Sequence, residues 1–143
     1  MRIGVVDGQG GGIGKHITEK LRKNLSEDAE IIALGTNALA TSAMLKAGAN
    51  EGATGENAIV FMADKVDVIV GSVAILAANA MLGELTPRIA QAIASSKAKK
   101  VLLPINRYGI EIIGVLNEPL PHQIEKLVEI LKNLERMNTC VRS

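Results

Sequence analysis

The chain has 143 residues, enough for one domain and not for two. Hydrophobic residues make up 48%, which excludes a disordered chain, and a formal net charge of +1 argues against the basic face of a nucleic-acid reader. Aromatics are 1%, Phe61 and Tyr108 alone, so base-stacking platforms are excluded and the core must be Ile, Leu, Val, Ala and Met.

Residues 3–6 form a short, mostly β-branched run and predict a first strand. Asp7 and a glycine-crowded loop follow, with five of the 14 glycines between positions 8 and 14. Apolar residues at 13, 17, 21 and 25 then recur every fourth position, a helical stripe. Residues 30–34 read as a second strand, Gly35-Thr36-Asn37 as a capping turn, and 38–47 as a helix rich in Ala, Leu and Met. Residues 48–56 read as a small-residue loop with a very short strand near Gly52-Ala53, and 57–63 as a short helix. A strand is predicted at 67–70, ending in Gly71-Ser72. Residues 73–82 are apolar all round and predict a buried or interface helix. Thr86-Pro87 opens a helix to about residue 96, with Pro in the first turn where its missing N–H costs little. Strands are predicted at 100–103 and 111–115. An amphipathic helix at 123–137 places Ile124, Leu127, Val128, Leu131 and Leu134 on one face.

Near-continuous apolar strands alternating with helices predict an α/β fold. The expectation is a single Rossmann-like three-layer domain over residues 1–137, mainly parallel sheet with helices on both faces, and a fraying tail at 138–143. The apolar stretch 66–85 is interrupted by Asp67, Ser72, Asn79 and Glu84, so a strand and a buried helix explain it better than a membrane span. A lone Cys140 and no visible signal peptide predict a reducing, cytoplasmic location.

The glycine loop carries the chemistry. Residues 8–15 fit neither the phosphate loop, since Gln9 and His16 stand at two of its fixed positions, nor G-x-G-x-x-G. They fit G-x-x-x-G-x-G through Gly8, Gly12 and Gly14. Gly8 permits a sharp turn, Gly10, Gly11 and Gly12 let the backbone approach a ligand, and Gly14 permits close helix packing. The free N–H groups of Gln9, Ile13 and their neighbours at a helix N-terminus favour an anion, for which a diphosphate is the usual guest. The competing reading is a glycine-rich turn without a ligand.

The string Gly8-Gln9-Gly10-Gly11-Gly12-Ile13-Gly14 resembles the cofactor loop of the short-chain dehydrogenase/reductase superfamily. That resemblance covers the opening strand, loop and helix, and implies NAD or NADP as cofactor. The superfamily's Tyr-x-x-x-Lys pair is missing, since Tyr108 is followed four residues later by Ile112. Gly71-Ser72-Val73 replaces its Asn-Ala-Gly turn. The resemblance therefore implies a binding loop and not hydride transfer, and no catalytic residue is assigned. A wider resemblance rests on residues 7–14, Ala33-Leu34-Gly35-Thr36-Asn37-Ala38-Leu39-Ala40 and Ala53-Thr54-Gly55-Glu56-Asn57-Ala58. These are similar to an uncharacterised bacterial family of short Rossmann-like proteins, which implies the fold and no activity.

Ligands of open parallel sheets bind beyond the carboxyl ends of the strands. Thr36 and Asn37 stand where NAD-preferring folds carry an acidic residue. They are candidates for a ribose or phosphate contact, or simply helix caps. Gly71 and Ser72 follow the strand at 67–70. Ser72 does not fit a nucleophile elbow. Asp7 has several open roles: a ribose or base contact, a magnesium ligand, a general base, or an acceptor for the loop's own N–H groups. Asn106 and Arg107 leave the strand at 100–103, and Arg107 is either a forked phosphate partner or an exposed loop arginine. Lys15 either shares the helix's polar face with Lys20, Arg22 and Lys23 or reaches a phosphate. Thr54, Glu56 and Asn57 are either a substrate loop or a capped helix start. His16 and His122 read as surface residues, and no metal site is expected.

Two functions follow. The first is a binder of a nucleotide, foremost NAD(P), with another nucleotide possible and the reaction unassigned. The second is a non-catalytic oligomeric sensing or interaction module, resting on the apolar helix at 73–82. Expected partners are a small-molecule nucleotide and further copies of the chain, with neither nucleic acid nor membrane.

Overall fold

The computed structural model describes residues 1–105 and 107–142, without the side chains of 139–142. Five strands, β1 (Arg2–Asp7), β2 (Glu30–Gly35), β3 (Glu51–Thr54), β4 (Val68–Ser72) and β5 (Lys99–Leu103), form one sheet. Its order is β3-β2-β1-β4-β5, and every pair is parallel. The helices are α1 (Gly12–Asn24), α2 (Ala38–Lys46), α3 (Glu56–Met62), α4 (Pro87–Ser95) and α5 (Leu120–Arg142). The domain is α/β in three layers, as the sequence predicts.

Period-two alternation explains why the strands read as unbroken apolar runs. Ile3, Val5, Ile31, Ala33, Val68 and Val70 face one core with Ile17 and Leu21 of α1, Met44 of α2 and Leu127 and Leu131 of α5. Val6, Ile32, Leu34 and Ile69 face the other core with Ile59 of α3 and Ile89 and Ile93 of α4. Both faces of β1, β2 and β4 are covered, so neither side of these three strands is free to be polar, unlike the edge strands β3 and β5. Neither aromatic contributes: Phe61 is 58% exposed and Tyr108 44% exposed.

The local signals act where expected. Asn37 caps α2 by accepting from the Ala40 N–H at 2.9 Å, and Thr86 caps α4 by accepting from the Ile89 N–H at 3.2 Å. Arg22 and Lys23 lie in the last turn of α1, where they complement its negative end. The small-residue segment 48–56 contains β3, paired to β2 through Ile32 and Glu51. Helix α5 continues through residues that the sequence assigns to a fraying tail.

Two expectations are corrected. Residues 73–82 are not a helix. Only Val73–Leu76 form a 3-10 turn, capped by Ser72 Oγ accepting from the Ala74 N–H at 3.2 Å. The chain then folds back on itself through bonds from the Asn79 N–H to the Leu85 carbonyl at 2.7 Å and from the Leu85 N–H to the Ala80 carbonyl at 3.1 Å. Asn79, Met81 and Leu82 are left-handed, which no α-helix of L-residues sustains. Burial is met point by point instead, by Ile75, Ala80, Met81 and Leu85 in the second core. Residues 111–115 are likewise not a strand. Gly109 and Gly114 take positive φ of 73° and 86° and break any extended run, and Ile113 is 97% exposed. The segment lies over a cavity beside the sheet rather than at its edge.

Candidate functional site

The strand order reverses direction at β1, so the ends of β1 and β4 form the switch point of the sheet. The glycine loop leaves β1 at this point. Asp7 ends β1 and is 7% exposed. Its Oδ1 accepts from the Gly8 N–H at 2.8 Å and its Oδ2 from the Gly14 N–H at 2.6 Å. It clamps both ends of the loop, the structural role among those open to it. Burial pushes its carboxyl above the ordinary range, N–H bonds from Gly14 and Gly8 draw it back, and the neighbouring Glu84 charge adds to the rise.

The rest of the loop is left open. The Gln9 N–H donates to Glu84, the Gly11 N–H to the Gly8 carbonyl at 2.9 Å and the Lys15 N–H to the Gly11 carbonyl at 2.8 Å. Among the described residues, nothing in the chain accepts from the N–H groups of Gly10, Gly12 and Ile13. A Cβ at Gly10 or Gly12 would meet no atom within 4 Å. A Cβ at Gly14 would lie 2.6 Å from Met44 Sδ and 2.9 Å from Asp7 Cβ, so this glycine serves close packing.

Asp7 and residues 8–13 line one wall of a cavity of about 690 Å³. Arg107, Ile112, Leu116, Glu118 and Gln123 contribute to the remaining wall. The volume lies within the usual range for small-molecule sites, ~300–1,000 Å³. Lys126 donates to Glu118 at 2.8 Å and holds its carboxyl below the usual range, so the charge that Glu118 brings to the cavity is already paired.

The other predicted residues are distributed around this loop or away from it. Thr36 and Asn37 flank it at the end of β2, where Asn37 Nδ2 also donates to the Gln9 carbonyl at 2.9 Å. Gly71 and Ser72 do not line the cavity: a Cβ on Gly71 would lie 2.7 Å from the Val6 carbonyl oxygen, and Ser72 is a cap. Thr54 donates to the Thr41 hydroxyl at 2.8 Å. Glu56 accepts from the Thr86 hydroxyl at 2.6 Å and pairs with Arg88 at 3.8 Å. Asn57 is exposed on α3. The 54–57 segment thus supports helix packing and is separate from the cavity. Asn106 lies outside the described residues.

The residue that the sequence reading missed is Glu84. Its Oε1 accepts from the Gln9 N–H at 2.9 Å, the Thr36 hydroxyl at 2.7 Å and Asn37 Nδ2 at 2.8 Å. Bonds from Gln9 and Thr36, with a further one from Asn37, hold its carboxyl below the usual range despite some opposing burial. The available signal was the one charged residue between positions 68 and 85.

Among the described residues no helix is long and apolar enough to cross a membrane, and no group of three or more His, Cys, Asp and Glu is arranged to hold a metal. Fold and site together define an α/β protein with a glycine-loop crevice at the switch point of a parallel sheet. The profile of the family described as a domain of unknown function (DUF3842) matches residues 2–136, and the chain belongs to that family. No curated protein and no solved structure matches the chain.

Proposed function

We propose that the chain binds a nucleotide, NAD or NADP, on the glycine loop. One observation carries this reading: three unpartnered N–H groups, from Gly10, Gly12 and Ile13, at the start of α1 beside a cavity of about 690 Å³. N–H groups at a helix N-terminus favour a phosphate, and the absence of side chains at Gly10 and Gly12 leaves room for one. The strand order is that of the first five strands of the dinucleotide-binding fold, in which the diphosphate crosses the loop after the first strand. The residues that would hold the cofactor are Gly10, Gly12 and Ile13 for the diphosphate, Arg107 and Gln123 on the cavity side, and Thr36 on the β2 side, where Asn37 is engaged as a cap and by Gln9 and Glu84. When bound, a nicotinamide would supply hydride chemistry. The chain's own contribution is the binding of phosphates and the orientation of the two halves.

The alternative, an oligomeric sensing module, rested on an apolar helix at 73–82. That segment is no helix, and it buries Ile75, Ala80 and Met81 within its own chain. The nucleotide reading therefore has the stronger support.

The test is calorimetric titration of NAD, NADP and ADP into the protein and its Gly12→Val variant. Space around Gly12 lets the variant fold with an unchanged melting profile, while its side chain blocks the phosphate. Binding falls at least about tenfold, equivalent to ~1.4 kcal/mol. Lys23→Ala, on the far end of α1, leaves binding unchanged. A folded Gly12→Val that binds every nucleotide like the parent would refute the reading.

A further inference from the structure

We propose that Glu84 reads the adenosine ribose, so that the site takes NAD and rejects NADP. This inference rests on the dinucleotide reading above and names which of the two cofactors it takes.

In the dinucleotide-binding fold a carboxylate at the end of the second strand receives the ribose hydroxyls, whereas an arginine nearby accommodates a 2′-phosphate. Here the end of β2 carries Thr36 and Asn37 and no carboxylate. The fold brings one to that place from another segment. Glu84, between β4 and α4, is bonded to both Thr36 and Asn37 and to the Gln9 N–H of the glycine loop. It therefore bridges the ends of β1 and β2, where the ribose carboxylate of such folds stands.

Two further observations fit this role. All three donors converge on Oε1, and among the described residues none donates to Oε2. One oxygen is thus fixed by the chain, and the other keeps its lone pairs for hydroxyl donors. In addition, neither residues 35–39 nor residues 77–85 contain Lys or Arg, so these segments offer a 2′-phosphate no cation. The phosphate would face the Glu84 charge unneutralised, and like charges brought together in an interface act against the wrong partner.

The bonds to Oε1 also indicate how to separate charge from structure. In Glu84→Gln the amide oxygen still accepts from Gln9, Thr36 and Asn37, while the charge is lost. The experiment is titration of NAD and NADP into the wild-type protein and into E84Q. The wild type is expected to bind NAD at least about tenfold more tightly than NADP, and E84Q to bring the two within about threefold, chiefly by gaining NADP affinity. A purely structural Glu84 would weaken both ligands equally and leave their ratio unchanged, which overturns the proposal. A wild type that prefers NADP overturns it too. A second measurement needs no variant: ADP against its 2′-phosphorylated counterpart on the wild type, with ADP the tighter ligand. Equal binding of the two refutes the ribose role while leaving the nucleotide reading intact. Failure to bind NAD, NADP or ADP refutes that reading and this inference together.

Discussion

Asp7 is a buried carboxylate bonded to the N–H groups of Gly8 and Gly14. In Asp7→Asn the amide presents an NH2 where one of those donors needs an acceptor. An orphaned buried N–H costs about 1–3 kcal/mol, so urea unfolding at neutral pH should show a loss of that size. The pH dependence has a definite sign. Because the folded state raises the Asp7 pKa, its contribution is full below the ordinary carboxylate value and is lost as pH rises through the raised one. Glu84 behaves oppositely: its contribution is full above the ordinary value and is lost as pH falls through the lowered one. Urea midpoints for wild type, D7N and E84Q at about pH 4 and about pH 7 should therefore diverge. The deficit of D7N is larger at the acid end, and the difference between wild type and E84Q shrinks there. A D7N deficit that grows from acid to neutral pH would contradict this assignment.

The elements differ in how far they were legible. Strands β1, β2 and β4 carry near-continuous apolar runs because both their faces are buried, and that pattern has no competing explanation once turn residues bound it. Residues 73–82 carry an equally apolar pattern that does not choose between a helix and an irregular chain. The choice is made by contacts remote in sequence: Glu84 meets a donor 75 residues away in Gln9. No local propensity encodes such a partner. The glycine loop was legible because it joins a strand to a helix. So were the open glycines at 10 and 12 and the packing glycine at 14, whereas Gly11 was read as open and instead packs on Ala40 of α2, a contact remote in sequence. Strain in the loop at 79–83 offers a test. Leu82 has φ of 57° and is 93% exposed, so it gives little burial in return for a left-handed backbone. Leu82→Gly should stabilise by about 0.5–1 kcal/mol, raising Tm by ~2–4 °C in a thermal melt.

At the scale of the whole molecule, one sheet separates two cores that share no side chain. Ile17 belongs to one and Ile89 to the other, and both are buried. Ile17→Val and Ile89→Val should each cost about 1 kcal/mol, and the double variant should show their sum to within about 0.5 kcal/mol. The shared strands predict a single unfolding transition for both. Two resolved transitions in calorimetry would show that the layers melt separately.

The placement of the two aromatics has a consequence for measurement. The chain has no tryptophan and one tyrosine, and neither Tyr108 nor Phe61 is buried in a core. Ultraviolet fluorescence therefore reports little of the interior. The single emitter, Tyr108, directly follows Arg107 at the cavity wall. Loading the site should change its emission while the packed layers stay optically silent, so the protein carries a built-in optical probe of occupancy rather than of folding.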